Sequence, residues 1–154
     1  IKQAYLTSRG NERIRNTTGH GIRPMFEKTR KTGAGLVRDE SNNEISRTLF
    51  DSIWKRCGHR KVYKIRMIKN HDGLKLEFDL FTGRLLGLRV LEVEFKSEQD
   101  ALSFIPPKWV GKWVEVTDDL RFTNGQLALF SARHELKSLL DEFKNQLGGN
   151  SIIL

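Results

Sequence analysis

Residues 74–95 read LKLEFDLFTGRLLGLRVLEVEF. Two short apolar runs in this stretch carry an acid at alternate positions, Glu77 and Asp79 in the first and Glu92 and Glu94 in the second. Side chains alternate faces along a β-strand, so Lys75, Glu77 and Asp79 point one way while Leu74, Leu76, Phe78 and Leu80 point the other. The second run repeats the arrangement, with Glu92 and Glu94 opposite Leu91, Val93 and Phe95.

Working outward, the same spacing pairs Lys64 with Arg66 against Tyr63, Ile65 and Met67, and Arg13 with Arg15 about Ile14. Arg38 and Glu40 are spaced alike, and Thr29 with Lys31 close the set. Turn clusters at Arg9-Gly10-Asn11, Thr32-Gly33-Ala34-Gly35 and His71-Asp72-Gly73 separate the runs. The pattern predicts antiparallel strands over 1–7, 12–16, 24–31, 35–41, 60–69, 73–81 and 87–96, joined as hairpins in a barrel or sandwich. The expected class is mainly β (α+β).

Helices punctuate the strands. From 44 to 56, Ile45, Leu49 and Ile53 recur four apart beside Phe50 and Trp54, an amphipathic pattern. Ser97-Glu98-Gln99-Asp100 resembles a capping box, and Pro106-Pro107 must end the helix it opens. Leu136, Leu139, Leu140, Phe143 and Leu147 predict a helix over about 131–147, stopped by Gly148-Gly149.

A chain of 154 residues, 38% of them hydrophobic, suits one domain with a sizeable core. No run reaches the length of a membrane span and no signal pattern opens the chain, so a cytoplasmic protein is expected. Cys57 is alone, which excludes a disulfide framework within the chain and a paired-cysteine zinc site, and fits a reducing compartment. The net charge of +8 favours polyanionic partners without choosing among them.

An ordinary half-solvated sheet would explain any one of these strands. The sorting of the charges asks for more, because some strands carry base pairs and others acid pairs. Burying such a face is costly unless the charges neutralise one another or hold a charged ligand. A polyphosphate carried with divalent cations needs both signs together. Arg offers bidentate donors and Lys a compact charge to phosphate oxygens, whereas Mg²⁺ or Mn²⁺ asks for carboxylates.

The ordered set Arg13-Ile14-Arg15, Thr29-Arg30-Lys31, Arg38-Asp39-Glu40, Lys64-Ile65-Arg66, Glu77-Phe78-Asp79 and Glu92-Val93-Glu94 resembles the CYTH superfamily, the triphosphate tunnel metalloenzymes. Residues 81–88, Pro107, Trp109-Val110-Gly111, Val116-Thr117 and Arg121-Phe122-Thr123-Asn124 are similar to its bacterial branch. The resemblance implies a closed, eight-stranded antiparallel β-tunnel that binds a triphosphate and hydrolyses or rearranges it with Mg²⁺ or Mn²⁺. By matched position, Arg13, Arg15, Lys31, Lys64 and Arg66 would hold phosphate oxygens, with Arg38 a further candidate. Asp79, Glu92 and Glu94 would be metal ligands, with Glu40 and Glu77 on the same acidic side. The family's first-strand Glu-x-Glu-x-Lys has no counterpart in the sequence, and the expectation is that it belongs upstream of Ile1. Asn42 stands where the family often has a further Glu.

The expected function is therefore a metal-dependent triphosphatase acting on inorganic tripolyphosphate or an organic or nucleoside triphosphate. A polyphosphate-binding module without turnover and a class IV type adenylate cyclase stay open as alternatives. Nucleic acid is disfavoured as a partner, because the basic pairs lack adjoining aromatic platforms. A homodimer is compatible with the sequence. No general base is assigned, since His20, His59, His71 and His134 all fall outside the paired pattern.

Overall fold

The computed structural model describes residues 1–8, 10–32, 39–130, 133–143 and 152–153. The chain divides into two compact units, Ile1–Tyr63 with Arg121–Ser131, and Lys64–Leu120 with Ala132–Leu154.

In the first unit, β1 (Lys2–Tyr5), β2 (Glu12–Gly19), β3 (Ile22–Thr32) and β4 (Asp39–Glu44) form an antiparallel ladder in the order β4-β3-β2-β1. The first residues of β5 (Lys61–His71) continue it, with Gln3 opposite Val62 and Lys2 opposite Tyr63. Register puts Ala4 beside Ile14, and Phe26 lies on the same face of β3, two residues from Lys28, the partner of Ile14, so this face is apolar around Ala4, Ile14 and Phe26. Helix α1 (Arg47–Arg56) covers that face. Phe50 and Ile53 of α1 join Ala4, Ile14 and Cys57 as buried core, with Leu6, Phe26, Ile45 and Trp54 against them. Phe50 sits 5.3 Å from the Phe26 ring and 5.5 Å from Trp54. Ser46 starts the helix, its hydroxyl accepting from the Leu49 amide at 3.1 Å, which satisfies one of the helix's orphan donors.

The buried stripe of α1 runs through Phe50, Ile53, Trp54 and Cys57, spaced i, i+3, i+4, i+7. Leu49, expected on that stripe, is exposed. Cys57 is buried and its thiol donates to the Ile53 carbonyl at 3.3 Å. Burial pushes the thiol's pKa up, so it serves as a small core residue. Near the end of this unit Thr123 caps α3 (Asn124–Leu127), whose Leu127 is fully buried.

In the second unit the remainder of β5 pairs with β6 (Leu74–Phe81), and β6 with β7 (Arg89–Val93), all antiparallel. The β5–β6 hairpin turns through Asp72 and Gly73, at φ 50° and 77°. Two consecutive positive φ values match the twist of a tight hairpin, and Asp-Gly is the pair that adopts them at least cost. Leu76, Phe78, Leu91 and Val110 make the buried core here, with Leu74 and Val93 packed on it. The short α2 (Glu98–Ser103) begins at Ser97, which accepts from the Asp100 amide at 3.1 Å. The strands β8 (Trp113–Val114) and β9 (Ile152–Ile153) pair parallel, and β9 also pairs with β7. Helix α4 (Arg133–Asp141) buries Leu136 and Leu139.

All seven expected strands are present as a mainly antiparallel sheet with helices. The proposed end of the last helix is corrected: Glu142 and Phe143 form a turn, and 144–147 lie outside the described residues. Residues 35–38 of the expected fourth strand lie outside them too. Ladder pairing leaves β4 with a single neighbour, and no described strand bonds its outer edge.

Candidate active site

Because α1 takes the Ala4 and Ile14 face of the first ladder, the opposite face receives the alternate residues. Register lines up Gln3 with Arg15, Tyr5 with Arg13, Arg13 with Thr29, Thr29 with Asn42, and Lys31 with Glu40. Three expected phosphate ligands, Arg13, Arg15 and Lys31, thus share one face. Arg13 donates to Glu40 at 3.1 Å, and the Lys31 ammonium lies 3.2 Å from the other Glu40 oxygen. Burial pushes the Glu40 carboxyl up, but Lys31 and Arg13 outweigh it and hold the group below its ordinary range. Glu40, expected among acids, therefore stands among bases; register across β3 and β4 decides this. Thr29, buried, donates to Asn42 at 2.6 Å. Arg38 lies outside the described residues.

Two residues of this face carry no formal charge and escaped the charge pattern. Gln3 is fully buried; its side-chain oxygen accepts from Arg15 Nε at 3.1 Å, and its amide nitrogen donates to the Tyr5 hydroxyl at 2.5 Å. Burial pushes the Tyr5 phenol up to about 12, against the opposing pull of Arg13, Gln3 and Arg15, so it stays neutral at physiological pH. The signal that could have found them is polar residues at alternate positions in an otherwise buried strand.

The second unit repeats the division of faces. Arg66 lies opposite Asp79, Asp79 opposite Val90, and Glu77 opposite Glu92. Arg66 gathers the acids: it donates to Asp79 at 2.7 and 2.6 Å, to Glu92 at 2.6 Å, and to Glu77. Lys64 binds the same Asp79 carboxylate. The Lys64 and Asp79 side chains are 1% and 0% exposed, so this is a buried pair. Burial lowers the Lys64 pKa despite Asp79 and Glu92, while burial of Asp79 is outweighed by Arg66 and Lys64, which hold its carboxyl below the usual range. For Arg66, burial pulls the pKa down and the bond to Asp79, with the charges of Glu92 and Glu77, overcomes it and drives it upward. Lys75 also binds Glu77.

Glu94 is placed differently from the expectation. β7 ends at Val93, and Glu94 is exposed beyond it. Ile65 and Met67, read as apolar backing for Lys64 and Arg66, are 58% and 50% exposed.

Among the described residues no group of His, Cys, Asp or Glu side chains is gathered as a ready metal cage. The donor chemistry fits a hard divalent cation in kind, since Glu77, Asp79 and Glu92 offer only carboxylate oxygens. A cation there would compete with Arg66 for those oxygens.

No family profile matches the chain. It is 38% identical over 130 residues to a protein named inorganic triphosphatase from Nitrosomonas europaea, covering 84% of this chain and 83% of that one. A solved structure of the inorganic triphosphatase NE1496 aligns with TM-score 0.62 and 33% identity, covering 85% of each chain. A second, described as the hypothetical protein NE1496, aligns with TM-score 0.62, 36% identity and 84% of each chain. Likeness of this extent, on a chain whose alternate strand positions carry the paired bases and acids described above, means that the chain belongs to the inorganic triphosphatase family of the CYTH superfamily.

Proposed function

We propose that the chain hydrolyses a triphosphate, inorganic tripolyphosphate first among them, in a closed β-tunnel of the family's kind formed by a single domain. The observation that carries this reading is the 38% identity over 130 residues to a protein named inorganic triphosphatase. The faces support it. A triphosphate brings several negative charges to be neutralised, and Arg13, Arg15 and Lys31 share one face while Lys64 and Arg66 share another.

In this reading the two arginines of β2 and Lys31 hold phosphate oxygens by charge-assisted hydrogen bonds. Lys64 and Arg66 exchange part of their hold on Asp79 and Glu92 for phosphate oxygens as substrate enters. Asp79, Glu77 and Glu92 hold Mg²⁺ or Mn²⁺, with Glu40 and Glu94 as further donors. A bound divalent ion would neutralise phosphate charge and lower the pKa of its water. The protein's own share is alignment and fixed positive charge, which is most of what phosphoryl transfer needs.

The test is phosphate release from tripolyphosphate, ATP and thiamine triphosphate by the protein in Mg²⁺ and in Mn²⁺. Release from tripolyphosphate that falls at least about a hundredfold in Arg66→Ala, which removes the hub of the acidic cluster, is the expected result. No release from any of the three compounds would sink the proposal.

A further inference from the structure

Arg66 is one guanidinium shared among three carboxylates. Its Nε donates to Asp79 at 2.7 Å, one terminal nitrogen donates to Asp79 and to Glu92 at 2.6 Å each, and the other donates to Glu77. Glu77 and Asp79 stand on β6 and Glu92 on β7, and the guanidinium lies among all three. They are the same acids that the proposed function gives to a divalent cation.

The rest of the network completes a balance. Lys64 binds Asp79, and Lys75 binds Glu77. Three bases thus answer three acids, and the formal charges of these six side chains cancel. A divalent cation alone meets carboxylates already neutralised, and a triphosphate alone meets bases already neutralised. Each carboxylate oxygen turned to a cation takes a charge-assisted hydrogen bond from Arg66, and each guanidinium hydrogen turned to phosphate takes one from a carboxylate. Either ligand by itself therefore strips a half-buried group of a partner, which is costly. With both present, phosphate takes the donors while the cation takes the oxygens, and every group stays paired.

Solvent access grades the exchange. The Glu92 side chain is 40% exposed, whereas Arg66, Glu77 and Asp79 are 13%, 9% and 0% exposed. The Arg66–Glu92 bond is thus the first to open, and Asp79, shared with buried Lys64, the last to yield.

We infer that Arg66 is an internal competitor for the divalent cation, holding the oxygens of Glu77, Asp79 and Glu92 until a triphosphate draws its guanidinium away, so that metal and substrate bind well together and poorly apart. The inference rests on the reading of Arg66 as a phosphate ligand and of these acids as metal donors. The coupling is reciprocal: whatever the triphosphate does for the cation, the cation does for the triphosphate.

The experiment follows free Mn²⁺ by its electron paramagnetic resonance signal as the whole chain is titrated without phosphate, in wild type, Arg66→Gln, Arg66→Lys and Lys75→Gln. Arg66→Gln should tighten Mn²⁺ binding about tenfold, roughly the worth of one hydrogen bond to a charged group, even though it removes turnover. Arg66→Lys keeps the charge without the fork and should tighten it less. Lys75→Gln removes the same charge from Glu77 at a 46% exposed position and should change Mn²⁺ binding less than about threefold. Equal tightening in Arg66→Gln and Lys75→Gln would mean that net charge alone acts, and overturns the inference. So does Mn²⁺ bound no more tightly by Arg66→Gln than by wild type. Phosphate release from tripolyphosphate is measured alongside: where wild type turns over, either result overturns the inference alone. A wild type that neither binds Mn²⁺ nor releases phosphate overturns the functional reading and this inference with it. Should Arg66→Gln lose its fold, read by its melting temperature in EDTA, Arg66→Lys decides, binding no tighter than wild type refuting the role.

Discussion

Asp79→Asn should destabilise the protein by about 3 kcal/mol at neutral pH, the lower end of what breaking a buried pair costs. The size follows from the surroundings. Asp79 is 0% exposed and answers both Lys64, 1% exposed, and the paired donors of Arg66. Asn retains the shape and one acceptor but removes the charge, so the buried Lys64 ammonium loses the attraction of the Asp79 carboxylate. Arg66 keeps Glu77 and Glu92, which limits the damage on its side. The pH dependence has a definite sign. The folded Asp79 carboxyl lies below its ordinary range, so its stabilisation is full above the unfolded pKa and is lost as pH falls through the folded one. The deficit of the variant must therefore shrink on acidification. At the alkaline end, burial lowers the Lys64 pKa while Asp79 opposes the fall. A protonated Lys64 costs stability that returns as pH rises from the folded towards the unfolded pKa, and without Asp79 that recovery starts at lower pH. Urea unfolding in EDTA at pH 3, 7 and 10 reads all three regimes. A loss under about 1 kcal/mol at pH 7, or the same loss at every pH, would refute the reasoning.

Glu40→Gln should cost less than about 1 kcal/mol, because the carboxylate is 33% exposed and solvent screens its pairs with Arg13 and Lys31. Its lowered pKa makes that contribution full above the ordinary carboxylate range and smaller as pH falls below it, so the urea curves of wild type and variant should draw closer between pH 7 and pH 3. Phe50→Ala, which removes a 3% exposed ring packed between Phe26 and Trp54, should cost about 3–5 kcal/mol in chemical denaturation. EDTA should abolish phosphate release from tripolyphosphate, and added Mg²⁺ or Mn²⁺ should restore it in wild type but less completely in Glu92→Gln.

Much of this fold is legible because strands with one packed face must alternate. Ile14 between Arg13 and Arg15, and Phe78 between Glu77 and Asp79, tell which residues go inward before any partner strand is known. Local caps are equally direct, as at Ser97, whose side chain takes the amide three residues on. Partner identity is another matter. Glu40 pairs with Arg13 and Lys31 because of register across β3 and β4, and no spacing within one strand encodes that. Glu94 lies one residue beyond the end of β7, and strand ends depend on the neighbour that supplies the ladder. Leu49 and Phe50 are adjacent candidates for the same helical stripe, and only the position of Phe26 and Ile14 beneath α1 selects the second. Gln3 and Tyr5 were invisible to a search for charge, being neutral members of a charged face. The strands β8 and β9 are two residues each, too short to show a period.

The alternation of β2 makes its two functions inseparable. Ile14 is sealed beneath α1 while Arg13 and Arg15, its immediate neighbours, face the other way. Inserting or deleting one residue before Ile14 would send an arginine into the apolar core and an isoleucine among the charges, at one stroke a folding lesion and a chemical one. Changes of length in this lineage should therefore collect at hairpin tips such as His20-Gly21 and Asp72-Gly73. Within the strands, drift is confined to substitution. A ribbon that is core on one side and chemistry on the other can have its residues exchanged one by one, but its reading frame is held fixed from both sides.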